Sequence, residues 1–180
     1  HYQKDPWSIV EEGFHPSMQE ASESIFSLGN GRMGQRANFE EKYSGESLPG
    51  NYLAGVYYPD KTRVGWWKNG YPEYFAKVLN APNWVGIDVE INGRQLDLHL
   101  SKPVNFRREL NMKQGYLERT FTVLNGDSKL HIAVRRFLSM KRDEIGAIRY
   151  AVKAENFSGT LSFSPYIDGN VVNRDSNYDE

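Results

Sequence analysis

Val85-Gly86-Ile87-Asp88-Val89-Glu90-Ile91-Asn92-Gly93-Arg94-Gln95-Leu96-Asp97-Leu98-His99-Leu100 is the stretch that decides the fold. Ile87, Val89 and Ile91 alternate with Asp88 and Glu90. A period of two puts one face of a strand on a core and the other in water. Asn92–Gly93 follows, a dipeptide that tolerates positive φ at both central positions of a type I′ turn. Leu96, Leu98 and Leu100 then alternate again, so the pattern predicts a hairpin with Gln95–Leu100 as the returning strand.

The same grammar repeats on the C-terminal side. Val104–Met112 reads as a strand, Lys113–Gly115 as a turn and Tyr116–Leu124 as the next strand. A second Asn–Gly, Asn125–Gly126, leads into Lys129–Met140, where Leu130, Ile132, Val134 and Leu138 fall at period two. Lys141–Asp143 turns the chain into Ile145–Glu155, and Asn156–Gly159 turns it into Thr160–Ile167. Strands spaced about every 10–15 residues with polar turns between them indicate an antiparallel sandwich or meander. Two short segments, Tyr71–Leu79 and Phe39–Tyr43, carry a helical pattern. The expectation is an almost all-β chain, a meander or a sandwich, with no linker, repeat or low-complexity segment.

Composition narrows the function. The 180 residues suffice for one sizeable domain. Twenty-two basic side chains nearly cancel 23 acidic ones, without a long like-charge run. That balance gives no support for binding nucleic acid or a membrane surface. No apolar run reaches the roughly 18 residues of a membrane-spanning helix. The opening residues lack the basic-then-apolar pattern of a secretory signal. Cysteine is absent, which excludes disulfides, thiolate metal ligands and a cysteine nucleophile and is the composition expected in the cytoplasm.

Leu28-Gly29-Asn30-Gly31-Arg32-Met33-Gly34 is the one glycine-rich loop. A phosphate loop needs a strand before it, a helix after it and a Lys–Ser/Thr pair. Arg32 and Met33 stand where that pair would be, and Ala37–Phe39 does not open a helix. Gly29, Gly31 and Gly34 therefore read as a structural turn between two strands, with lining of a neighbouring site as the alternative.

Residues 52–84 hold nine of the chain's aromatic side chains, among them three of its four tryptophans. Pro59, Gly65, Gly70, Pro72 and Pro82 interrupt the window, which predicts mostly loop. Trp66, Trp67, Lys68, Asn69, Tyr71, Asn83 and Trp84 combine flat rings with groups that bond sugar hydroxyls. The same residues suit core edges and subunit interfaces. They are the candidate substrate-entrance or interface residues.

Glycosidases pair two carboxyl groups, about 6.5–9.5 Å apart when inverting and about 5–5.5 Å when retaining. Asp88 and Glu90 share one strand face, but it lies opposite the apolar one and reads as solvated. Glu40–Glu41 and Asp143–Glu144 read the same way. Arg107–Arg108 and Arg135–Arg136 read as solvated or salt-bridged bases. His1, His15, His99 and His131 lack metal-ligand spacing, and no Gly-x-Ser-x-Gly elbow is present. No catalytic and no metal residue is assigned.

Several of these stretches, taken in order, resemble the N-terminal domain of glycoside hydrolase family 65. They are Trp7–Glu11, Glu23-Ser24-Ile25-Phe26-Ser27-Leu28-Gly29-Asn30-Gly31, Gly34–Glu41, Gly55-Val56-Tyr57, Asn80-Ala81-Pro82-Asn83-Trp84, Ile91-Asn92-Gly93 and Asp168-Gly169-Asn170-Val171. The family contains maltose, trehalose and kojibiose phosphorylases and acid trehalases, and the maltose phosphorylase type looks closest. The resemblance implies that residues 1–180 form a large antiparallel β-sandwich similar to that of galactose mutarotase. It implies a parent enzyme that breaks an α-glucosidic bond with inversion, inorganic phosphate being the co-substrate and no cofactor being needed. The family's proton-donating glutamate and phosphate ligands lie in an (α/α)₆ barrel C-terminal to the sandwich. No part of this chain matches that barrel, so no catalytic residue carries over. The family's sandwich is somewhat longer, so its last strands are expected beyond Glu180. The implied partners are the chain's own barrel, the disaccharide held in the parent active site, and a second copy in a homodimer. Two alternatives stay open: a free-standing carbohydrate-binding module, and the N-terminal domain of an acid-trehalase-type hydrolase. A mutarotase-like enzyme would need a His and a carboxylate at a sugar pocket, and the sequence gives His99 and His131 no evident partner.

Overall fold

The computed structural model describes residues 2–4, 6–62, 72–125, 128–156 and 158–173. Its elements in chain order begin with β1 (Tyr2–Lys4), β2 (Ser8–Glu12), a 3₁₀ turn (Pro16–Met18) and helix α1 (Gln19–Ile25). β3 (Leu28–Gly29), β4 (Met33–Gln35), β5 (Asn51–Leu53), β6 (Tyr57–Lys61), β7 (Tyr74–Val78), β8 (Ile87–Ile91) and β9 (Arg94–Gln95) follow. Helix α2 (Leu98–Ser101) then precedes β10 (Val104–Asn111), β11 (Tyr116–Asn125), β12 (Ser128–Leu138), β13 (Gly146–Ala154) and β14 (Leu161–Pro165).

The strands form a six-stranded sheet, β1-β2-β10-β11-β12-β13, and three smaller sheets, β14-β8-β9, β3-β4-β5 and β6-β7. Every strand pairing is antiparallel. The period-two pattern sets which side is buried. On β12, Leu130, Ile132, Val134, Arg136 and Leu138 turn inward while His131, Ala133, Arg135 and Phe137 turn outward.

Two apolar clusters cover the inner face of the large sheet. At one end Val89 of β8, with Phe39, Leu96 and Leu98, packs on Phe106, Phe121, Val123, Ile132 and Val134. There the β14-β8-β9 sheet is the second layer of a β-sandwich, and Phe163 of β14 meets the Tyr150 ring at 5.7 Å. At the other end Phe26 and Ala37 pack on Leu110 and Leu117. Each such side chain contributes about 1.5–3 kcal/mol on leaving water.

Local structure departs from the sequence pattern at several places. First, the returning strand after β8 is short: Arg94 and Gln95 pair with Ile91 and Glu90, and the Leu96 N–H donates to the Val89 carbonyl at 2.8 Å. Asp97 then turns the expected strand into α2, its carboxylate accepting from the His99 and Leu100 N–H groups at 3.0 and 3.4 Å. A side-chain cap competes with a sheet ladder for the same backbone donors. Lys102, at φ 46°, ends the turn in the left-handed region. Second, the helical pattern at Tyr71–Leu79 gives strand β7 where it is described; Tyr71 lies outside the described residues. Third, Phe39–Tyr43 is not helical; it runs irregularly across the sheet, anchored by its buried acids. Fourth, α1 was not legible, because its buried positions are Gln19, Ser22 and Glu23 rather than an apolar stripe. The aromatic window, expected as loop, contains β5, β6 and β7.

Candidate functional site

Between the two apolar clusters a band of charge crosses the inner face. Arg108, Arg119 and Arg136 come from β10, β11 and β12, one per strand, and each is about 1% exposed. Register lines up Glu11, Arg108, Arg119, Val134 and Tyr150 across five strands. Four carboxylates answer the arginines. Glu11 pairs with Arg108 Nε at 3.5 Å. Glu40 takes Arg119 Nη2 and lies 3.2 Å from Arg136 Nη1. Glu41 accepts Arg119 Nη2 at 2.7 Å and the Tyr150 hydroxyl at 2.7 Å. Glu23 accepts Gln19 Nε2 at 3.0 Å and the Leu48 N–H at 2.7 Å, beside the half-buried Arg36 at 4.0 Å. The guanidiniums also sit over aromatic faces: Arg108 lies 5.1 Å from Phe39, and Arg119 lies 4.9 Å from Phe39.

Four acids thus face four bases across the inner face. Burial alone would raise the Glu40 carboxyl, but Arg119 and Arg136 outweigh it and hold Glu40 below the ordinary carboxylate range. Burial lowers Arg108 to about 10 against the pull of Glu11, so it stays protonated at neutral pH. Burial, then the Glu41 charge, push the Tyr150 hydroxyl upward. The expectation that Glu40–Glu41 is solvated is corrected here: both lie on the segment that covers the sheet, facing the arginines. Of each paired base, Arg107 and Arg135 face outward in ion pairs with Glu12, Glu109 and Glu118. Arg108 and Arg136 face inward. The signal was available: Phe106-x-Arg108-x-Leu110, Leu117-x-Arg119-x-Phe121 and Val134-x-Arg136-x-Leu138 put charge on the apolar parity.

The glycine loop is the β3–β4 connection. Gly31 has φ +88°, while a Cβ on Gly29 or Gly34 would meet only ordinary contacts at 3.7 Å. Asn30 organises the turn, its Oδ1 accepting the Arg32 and Met33 N–H groups at 3.1 and 2.7 Å. Its Nδ2 donates to the Ser139 and Asp143 carbonyls, both at 2.9 Å. The loop is therefore pinned to the β12–β13 turn.

Of the aromatic-window candidates, Trp66, Trp67, Lys68, Asn69 and Tyr71 lie outside the described residues. Asn83 is a joint: its backbone exchanges two 2.8 Å hydrogen bonds with Asp168. Its Oδ1 accepts from Asn51 Nδ2 at 3.2 Å, and Asn51 Oδ1 accepts from Gln35 Nε2 at 2.8 Å. Trp84 lays its ring against Gly146, at the start of β13, where any Cβ would collide with it. Structure thus brings Asn83 and Trp84 to the seam between the sheets, while Tyr57, Tyr58, Tyr74 and Phe75 of the β6–β7 ribbon are exposed. His99 stands edge-on to Tyr43 at 5.5 Å. It lines an open cleft of about 510 Å³ with Glu12, Phe14, Lys102 and Phe106. Among the described residues no cluster of His, Asp and Glu could hold a metal ion.

Comparison with known proteins agrees with this architecture. The family model of glycosyl hydrolase family 65, N-terminal domain, matches residues 9–180. Maltose phosphorylase of Bacillus subtilis (strain 168) is 48% identical over 179 residues, covering 99% of this chain and 24% of that protein. Alpha,alpha-trehalose phosphorylase of Thermoanaerobacter brockii is 33% identical over 180 residues, covering 96% of this chain and 23% of that protein. The solved structure of a candidate kojibiose phosphorylase from the human microbiome superposes with a TM-score of 0.83 at 32% identity, over 95% of this chain and 23% of that one. The chain spans about a quarter of the length of these two relatives. Match, fold and motif order together show that it belongs to glycosyl hydrolase family 65, as the family's N-terminal domain.

Proposed function

We propose that this domain is the non-catalytic N-terminal sandwich of an inverting disaccharide phosphorylase that uses inorganic phosphate to cleave an α-glucoside such as maltose. The observation that carries the reading is the 48% identity to a maltose phosphorylase across nearly the whole chain. Site chemistry supports it. A general acid needs a raised pKa and a place beside the scissile bond. Glu40 is instead buried and held low by Arg119 and Arg136, and Glu11 and Glu41 are committed to arginines in the same band. The band locks the 36–43 segment to the sheet and makes a rigid support for a C-terminal catalytic barrel. The parent acts as a homodimer.

The test is phosphate dependence of the full-length parent protein. Maltose plus inorganic phosphate should give glucose and β-glucose 1-phosphate, with no sugar released when phosphate is omitted. Glucose release in phosphate-free buffer would move the parent to the trehalase-type hydrolases.

A further inference from the structure

We propose that the cleft between residues 12–16 and 99–106 binds a phosphorylated hexose, its phosphate on Lys102 and Asn105 and its ring against Phe14 and Val104. The choice of a hexose as the ring rests on the phosphorylase reading above. Two segments make the walls. β2 ends at Glu12, and Gly13, at φ +89°, donates its N–H to the Phe106 carbonyl at 2.8 Å. Phe14 then stands half-buried against three rings: Phe106 at 5.5 Å, Phe39 at 6.2 Å and Tyr43 at 6.4 Å. A ring packed on so many sides is a fixed surface. In the second wall the pairing of β10 with β11 slips register between Val104 and Arg107. Bulges of this kind re-aim side chains and recur beside binding sites. Lys102 stands just before the slip and Asn105 within it, at φ 46° and 52°; they are two of the three described non-glycine residues in the left-handed region. Such conformations cost free energy and collect at ligand sites.

The lining identifies the ligand. The cleft holds about 510 Å³, within the roughly 300–1,000 Å³ of small-molecule sites. Phe14, Pro103 and Val104 give it apolar walls. Its charges do not cancel. Glu12 is held by Arg107 at 3.2 Å, whereas among the described residues the Lys102 ammonium meets no carboxylate and the Asn105 side-chain amide has no hydrogen-bond partner. His99 Nδ1 is buried without a partner and lies 2.6 Å from where a Cβ on Gly45 would stand. Nε2 is therefore the ring nitrogen left to the cleft. An unpaired ammonium beside an amide and an imidazole suits a phosphate. The apolar walls are more than a bare phosphate would use, and they match the C–H face of a sugar ring. A neutral sugar would leave the Lys102 charge unanswered.

Methyl NMR on the full-length protein, read at Val104, tests the site with three probes: β-glucose 1-phosphate, glucose and inorganic phosphate. β-Glucose 1-phosphate should shift the Val104 methyl signals saturably and give an intermolecular NOE from its sugar protons to those methyls. Glucose and phosphate, each added alone, should need at least about tenfold higher concentration, since each makes only part of the contacts. Lys102→Met should weaken the response about tenfold, the loss of one hydrogen bond to a charged group, and Lys102→Arg should keep it. An equal response to phosphate alone would make the cleft a simple anion site. An equal response to glucose alone, undiminished in Lys102→Met, would make it a neutral-sugar site. Either result overturns the proposal, as does an unmoved Val104. Phosphorolysis of maltose measured on the same sample separates the two readings: an inactive protein whose Val104 responds sinks the phosphorylase reading alone, and an active one whose Val104 stays unmoved sinks the cleft site alone.

Discussion

The Tyr150 hydroxyl donates to Glu41 Oε1 at 2.7 Å, joining residues 109 positions apart in the chain. This bond closes the free edge of the large sheet onto the irregular segment that crosses it. The other oxygen of Glu41 accepts Arg119 Nη2, so one carboxylate links β11, β13 and the covering segment. Tyr150→Phe leaves a buried acceptor unpaired and should cost about 1–3 kcal/mol. Because burial and the Glu41 charge raise the folded-state pKa of Tyr150 above its ordinary 10.0, its contribution is fully present below pH 10 and is lost as pH rises beyond that. Urea unfolding from pH 9 to 11 should show that loss in the wild type and a smaller one in Tyr150→Phe.

Removing Arg119 should be far more damaging than removing an outward-facing base. Arg119→Met leaves Glu40 with Arg136 alone and Glu41 with the Tyr150 hydroxyl alone, and should cost about 3–5 kcal/mol, the penalty of breaking a buried pair from one side. Arg135→Met, which loses a partly exposed pair with Glu118, should cost about 1 kcal/mol or less. Denaturant midpoints at neutral pH compare the two directly.

Acid should weaken the same band. Glu40 is held below its ordinary value of 4.5 in the folded state. Its contribution is therefore present above pH 4.5 and lost as pH falls through the lower folded value. Unfolding free energy should drop across that interval, and Glu40→Gln, though less stable at neutral pH, should show a shallower acid limb. Identical acid slopes in the two proteins would mean that other carboxylates drive the loss.

The glycine loop makes a positional prediction. Gly31→Ala must hold an L side chain at φ +88° and should cost about 1–2 kcal/mol. Gly29→Ala, with an ordinary contact at 3.7 Å, should be close to neutral. Asn30→Ala should leave the global fold in place and accelerate amide exchange at Arg32 and Met33, whose N–H groups lose their acceptor.

Much of the fold was legible because it rests on period-two alternation. β8, β10, β11, β12 and β13 fall where Ile87, Phe106, Phe121, Ile132 and Ile148 mark a buried parity. What escaped had its cause in other physics. α2 replaces a strand because a single carboxylate, Asp97, captures two backbone donors. α1 carries polar residues inward because Glu11, Arg108 and Gln19 meet them there. The charge band was hidden because an arginine on the apolar parity looks like an interruption of a strand until four acids from distant segments arrive to neutralise it. For the candidate site, composition and motif order pointed to the family. They could not say that Asn83 and Trp84 serve the seam between sheets, since a ring suited to sugar stacking is equally suited to packing on Gly146.

The central claim is that this sandwich supports catalysis performed elsewhere in the parent protein. Its most direct test is the purified 180-residue chain, folded as judged by a cooperative unfolding transition, incubated with maltose and inorganic phosphate. The purified chain should form no β-glucose 1-phosphate above the enzyme-free control, while the full-length protein under the same conditions forms it. Phosphorolysis by the 180-residue chain alone would contradict the account.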